Sequence, residues 1–177
     1  MEHSKIKLLS AAIMLSGLLS VSPVLADEPS EFPIEVKDAQ TVDGGGFSEK
    51  TGGVYKVIKG GSLTLSPSTE NAVMEFKKNA TLENGASINV EQGGKLVITG
   101  GDKKYTFSEN QAANGGAIYA ELTNFENAAI EALNVAGSTF SKNQATTNGG
   151  AIYAAFVPQE GNNNIVTSAI NSNVFEG

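Results

Sequence analysis

The sequence holds 177 residues, 40% hydrophobic and 18% charged, with a net charge of -7, enough apolar material for one domain with a core. It has 20 Gly, no Cys, no Trp, no Arg and a single His, His3, which excludes disulfides, the usual zinc sites and Ser-His or Cys-His catalysis once the leader is removed. An acidic chain without arginine is also unsuited to nucleic acid or to anionic lipid.

At the start, Lys5 and Lys7 precede the apolar run from Leu8 to Val21, Ser22-Pro23 breaks it, and Val24-Leu25-Ala26 supplies small residues before a cleavage point. Residues 1–26 therefore read as a signal peptide cut between Ala26 and Asp27. The run is shorter than the roughly 18 residues a membrane span requires. The mature chain is expected to have no transmembrane segment and to work outside the cytoplasm.

Residues 27–53 are acidic, carry Pro29, Pro33 and Gly44-Gly45-Gly46, and show little periodicity. They read as an irregular lead-in or N-terminal cap. From Val54 short β-prone stretches recur: Val54 to Ile58, Ser62 to Leu65, Ser87 to Val90 and Lys95 to Ile98. Several alternate polar and apolar residues, the period of a half-buried strand, and Gly60-Gly61, Asn84-Gly85, Gly93-Gly94 and Gly100-Gly101 punctuate them. Asn124 to Val135 has helical spacing and is left open between a short helix and a loop between strands.

Internal repetition is the strongest signal. Thr106 to Ala112 (TFSENQA) returns as Thr139 to Ala145 (TFSKNQA), and Asn114 to Ala120 (NGGAIYA) returns as Asn148 to Ala154. Phe76 with Asn79 is a weaker earlier copy and Phe175 opens a further one. Phe76, Phe107, Phe140 and Phe175 lie 31, 33 and 35 residues apart. Short strands and glycine turns cannot bury an apolar face alone, but stacked copies can. The fold expected is all-β: a right-handed, single-stranded parallel β-helix of a few coils over residues 54–177.

The motif residues suit that geometry. Gly115-Gly116 and Gly149-Gly150 allow a sharp corner. Ala117 or Ile118, and Ala151 or Ile152, fill a narrow interior. The Phe side chains stack coil on coil. Asn79, Asn110 and Asn143 are expected to adopt a left-handed turn and to hydrogen-bond to their equivalents as a ladder. Tyr119 and Tyr153 are expected to stack on one face of neighbouring coils. Asn162-Asn163-Asn164 reads as a loop excursion, and Lys77-Lys78 and Lys103-Lys104 as solvated edges.

At these residues the sequence resembles the chlamydial polymorphic outer membrane proteins, defined by many copies of Phe-x-x-Asn and Gly-Gly-Ala-(Ile/Leu/Val). Both motifs occur in order as Phe107-Asn110 with Gly115-Gly116-Ala117-Ile118, and as Phe140-Asn143 with Gly149-Gly150-Ala151-Ile152. The resemblance spans about residues 76 to 177. It implies an autotransporter, with a signal peptide, a β-helical passenger and an outer-membrane barrel, acting as an adhesin and virulence factor at the bacterial surface. Its motifs are implicated in adhesion, with a host-cell receptor or a glycan as partner. No barrel segments follow Ile165, and the chain stops at Gly177 before the Asn that Phe175 leads one to expect, so the sequence reads as a truncated product or fragment. An unpaired terminal coil makes self-association an expectation.

The alternative is a polysaccharide lyase or glycosidase on the same fold. With no Arg and scattered carboxylates (Glu109 and Glu121 flank the first Gly-Gly-Ala-Ile, but the second copy has Lys142), the expectation is no catalytic residue, no metal and no cofactor. The Gly-Gly-x-Gly-x-Asp nonapeptide of calcium-binding repeats is absent.

Overall fold

A computed structural model of the chain describes residues 31–43, 45–67, 74–101, 105–123, 130–158 and 166–177. The expected signal peptide and its junction at Ala26 and Asp27, the run Asn162-Asn163-Asn164, Lys103-Lys104 and the first half of the helical-looking segment lie outside the described residues.

Seventeen strands follow in chain order: β1 Ile34–Val36, β2 Ala39–Val42, β3 Gly45–Ser48, β4 Tyr55–Val57, β5 Ser62–Leu65, β6 Met74–Lys77, β7 Ile88–Val90, β8 Lys95–Thr99, β9 Tyr105–Ser108, β10 Gln111–Asn114, β11 Ile118–Leu122, β12 Ile130–Ala136, β13 Ser138–Ser141, β14 Gln144–Asn148, β15 Ile152–Phe156, β16 Val166–Asn171 and β17 Val174–Glu176. They form three five-stranded sheets, β1-β4-β7-β11-β15, β2-β5-β8-β12-β16 and β3-β6-β9-β13-β17, with a two-stranded sheet of β10 and β14 at one corner. Every described pairing is parallel. Each turn of chain adds one strand to each large sheet, so the architecture is a parallel β-solenoid.

Alternation along the strands explains why one face closes. In β5 and β8 the residues facing the axis, Leu63, Leu65, Leu96 and Ile98, are fully buried while their neighbours stay partly exposed. In-register pairing then piles like on like: Leu63, Leu96 and Leu133 in one column, Leu65, Ile98 and Val135 in the next. Ile88, Ile118 and Ile152 make a third column, which Tyr55 continues.

Two expectations are corrected. The stretch read as an irregular lead-in contains β1, β2 and β3, which pair in register with β4, β5 and β6. Only three or four residues per strand are needed, too few for a period to show. The second half of the helical-looking segment is β12: Leu133 and Val135 pair with Leu96 and Ile98, and this ladder overrides the local alanine spacing.

Candidate functional site

The repeated spacing of the motif side chains has a structural counterpart in two corners of the solenoid. At the end of the third sheet, Phe47, Phe76, Phe107, Phe140 and Phe175 are register partners. The rings of Phe76, Phe107 and Phe140 lie at centroid distances of 4.9 Å with interplanar angles of 4° and 7°, and Phe175 joins at 5.2 Å. Phe47 extends the column at 6.1 Å; no Asn follows it at motif spacing, so it went unmarked in the sequence.

Three residues after each Phe the amides form the expected ladder. Asn110 Oδ1 accepts from both the backbone N–H (3.0 Å) and Nδ2 (3.0 Å) of Asn79, and Asn143 Oδ1 accepts from the N–H (3.1 Å) and Nδ2 (2.8 Å) of Asn110. Each amide also donates backwards to the carbonyl of the Phe one coil earlier: Asn79 to Phe47, Asn110 to Phe76 and Asn143 to Phe107. Asn79 and Asn110 are fully buried, and these bonds satisfy groups that would otherwise be unmade.

The left-handed residue is not the Asn itself. It is the residue before: Glu49, Lys78, Glu109 and Lys142 all have φ between 51° and 60°. Turning one residue early lets the Asn amide point along the stack, at a strain of roughly 1–2 kcal/mol per residue. These four positions alternate in sign from coil to coil, with Lys142 standing where the previous copy has Glu109. Lys77 and Glu109 also pair at 3.8 Å.

The Gly-Gly corner holds a second ladder that the sequence reading did not single out. Asn114 Nδ2 donates to Asn84 Oδ1 and Asn148 Nδ2 to Asn114 Oδ1, both at 2.9 Å. The repeated Asn directly before Gly was the available signal. Gly115 and Gly149 have φ of 59° and 62°. A Cβ on Gly116 would collide with the Gly150 carbonyl and the Gln144 backbone. Ala117 and Ile118 are both fully buried, whereas Ala151 and Ile152 are half-buried. A third corner reuses the first device: Ser172 is left-handed, Asn173 Oδ1 accepts from Ser138 N–H, and Asn173 Nδ2 donates to Val135 O.

Two surface features remain. Tyr119 and Tyr153 are register partners with ring centroids 5.9 Å apart, tilted by 32° rather than stacked, and Tyr119 is nearly covered, at 8% exposure. Its hydroxyl donates to Glu121 at 2.9 Å, and burial, then that contact, push its pKa up to about 12. Beside the Asn-Gly corner runs a trough of about 720 Å³ whose lining includes Gly52, Ala80, Ala112, Leu82, Lys56 and Glu83. Leu82 is 99% exposed. Among the described residues no group of three His, Cys, Asp or Glu is placed to hold a metal.

The family match falls on the laddered coils. The Chlamydia polymorphic membrane protein repeat matches residues 104–121 and 137–155. The chain thus carries two copies of that family's repeat. "Probable outer membrane protein PmpA" of Chlamydia muridarum (strain MoPn / Nigg) is 30% identical over 116 residues, which cover 60% of this chain and 11% of that relative. The chain thus spans about a tenth of that relative's length. No solved structure matches.

Proposed function

We propose that this chain is a segment of a surface-displayed, autotransporter-type passenger: exported behind a signal peptide cut at Ala26/Asp27, wound right-handed as parallel crossovers are, and serving adhesion without catalysis. The cell surface or outer membrane is its site of action, and a host-cell receptor or glycan its partner. The observation that carries the reading is the direction of the motif side chains. Phe76, Asn79, Phe107, Asn110 and Phe140 are buried and engaged with their own equivalents. The repeat is therefore scaffold, and contact falls to what the scaffold displays, the trough with Leu82 foremost. Among the described residues lining the trough, Lys56 and Glu83 are the only ionisable groups, which favours contact over chemistry. The relative's name, an outer membrane protein, points to the same compartment.

The test is retention of beads coated with the refolded chain on cultured host cells. Leu82→Asp is expected to lower retention with an unchanged far-UV spectrum. Parent-coated beads held no better than beads coated with an unrelated protein would remove the adhesive reading.

A further inference from the structure

The corner between the third and first sheets is cut to different lengths. Thr51, Ala80, Gln111 and Gln144 are register partners where it begins, and Tyr55, Ile88, Ile118 and Ile152 where it ends. The chain advances four residues between those marks in the first coil, then eight, seven and eight in the next three. The first coil therefore skips the stretch that becomes β10 and β14 further along, and leaves a notch beside the corner of the second. Leu82 stands on that second corner, 99% exposed. The trough of about 720 Å³ opens at this notch, a volume usual for a binding site.

The lining selects among occupants. Thr51, Ala80, Gln111 and Thr146 belong to four successive coils, so the trough runs along the stack for three coil spacings, about 14 Å. An extended peptide covers that length with about four residues. The aliphatic walls, Pro33, Ala80, Leu82, Ala112 and Ala113, match aliphatic side chains. The Thr51 hydroxyl and the Gln111 amide each donate and accept, as a peptide backbone requires. A sugar ring is held on aromatic faces, and among the described residues lining the trough none is aromatic. Charge decides what flanks the segment. Lys56 pairs with Glu91 and Lys37 with Glu35, both at 2.8 Å. Glu83 adds a further carboxylate, and Lys56 is raised above its ordinary value by Glu91 first, then by Glu35 and Glu83. Three carboxylates thus answer two lysines at this end of the trough, in a chain of net charge -7.

We propose that the trough is a docking site for an extended aliphatic segment of a partner protein, about four residues long and flanked by a lysine or arginine. The aliphatic side chains lie along Leu82 and the alanines, and the basic flank meets Glu83. The presence of that segment on a host-cell protein, and not on a glycan, rests on the adhesive reading above.

The test is selection of displayed random peptides on the immobilised full chain, followed by fluorescence-anisotropy titration of the selected peptides. Enriched sequences are expected to carry an aliphatic run beside Lys or Arg. Leu82→Asp should weaken their binding at least about tenfold, and Glu83→Lys should remove the preference for the basic flank, both with an unchanged far-UV spectrum. Enrichment of no peptide, enrichment without an excess of basic flanks, or equal affinity for the parent and Leu82→Asp would each overturn the proposal, whether or not the chain binds a glycan array instead. Bead retention reports separately on adhesion. Retention without such peptides defeats the docking site alone, and such peptides without retention uphold the site and defeat only its adhesive use.

Discussion

Replacing Asn110 by Ala tests the central claim that the amide ladder, and not the phenylalanine column alone, holds the coils. Asn110 is fully buried. Its side chain accepts from the Asn79 N–H and Nδ2 and donates to Phe76 O and Asn143 Oδ1. Asn79 Nδ2 keeps Phe47 O, and Asn143 Oδ1 keeps the backbone N–H of residue 110. The Asn79 N–H and the Phe76 carbonyl each lose a partner out of reach of water. At about 1–3 kcal/mol per orphaned group the loss is about 2–6 kcal/mol, a large part of the 5–15 kcal/mol by which a domain of ordinary size is stable. With a urea dependence of about 2 kcal/mol per molar, the midpoint followed by circular dichroism falls by roughly 1–3 M. Asn110→Asp is expected to be at least as damaging: it keeps the acceptor but sets a carboxylate oxygen against Phe76 O and Asn143 Oδ1. Asn143→Ala, at a half-buried position, costs about 1 kcal/mol because water replaces part of what is lost. A stability for Asn110→Ala within about 0.5 kcal/mol of the parent, the range of ordinary surface changes, would refute the reasoning.

Phe107→Ala, which empties a site sandwiched between two stacked rings, should cost about 3–5 kcal/mol; Phe175→Ala, at a position already 56% exposed, should cost far less in the same urea titration. Gly116→Ala should prevent stable folding because its Cβ meets backbone atoms of the next coil, while Gly150→Ala, whose Cβ would sit 3.4 Å from Asn143 O, should leave the far-UV spectrum intact. The Tyr55 hydroxyl is raised by burial from 10.0 to about 12. The folded state therefore favours the neutral phenol, a contribution complete below pH 10 and lost as pH rises to about 12, worth about 2–3 kcal/mol. Tyr55→Phe should flatten that alkaline loss in a pH series of urea melts, and an unchanged slope would contradict it.

The sequence reveals the solenoid where a copy is long and faithful. Phe107 and Phe140, or Ile118 and Ile152, announce their pairing because the residues between them repeat as well. Phe47 obeys the same geometry, yet it is silent: Lys50 stands where the Asn would be, and Gly52-Gly53-Val54-Tyr55 has drifted from Gly-Gly-Ala-Ile. A column needs only an apolar group of suitable size, so packing tolerates Tyr55 beneath Ile88 although the motif is gone. The Asn84, Asn114 and Asn148 ladder was visible in the sequence as Asn-Gly but carried the ordinary meaning of a turn. Its amide contacts become apparent only once three turns are superposed. The left-handed position escaped because asparagine is the usual occupant of that conformation, whereas here Glu49, Lys78, Glu109 and Lys142 take it so that the amide is free for its neighbours. The stretch ending in β12 misled for the opposite reason, since the spacing of Phe125, Ala128, Ala129 and Ala132 says nothing of a partner such as Leu96 on another coil.

The ladders also set how the molecule yields under tension. Backbone and amide hydrogen bonds alike run from one coil to the next, so a pull along the stack loads them one rung at a time, like the teeth of a zip. Each coil that lets go releases about 3.3–3.6 Å of contour per residue while the coils behind it stay intact. A chain built this way lengthens in steps under load, absorbing shear as an extensible tether where a single cooperative core would fail at once.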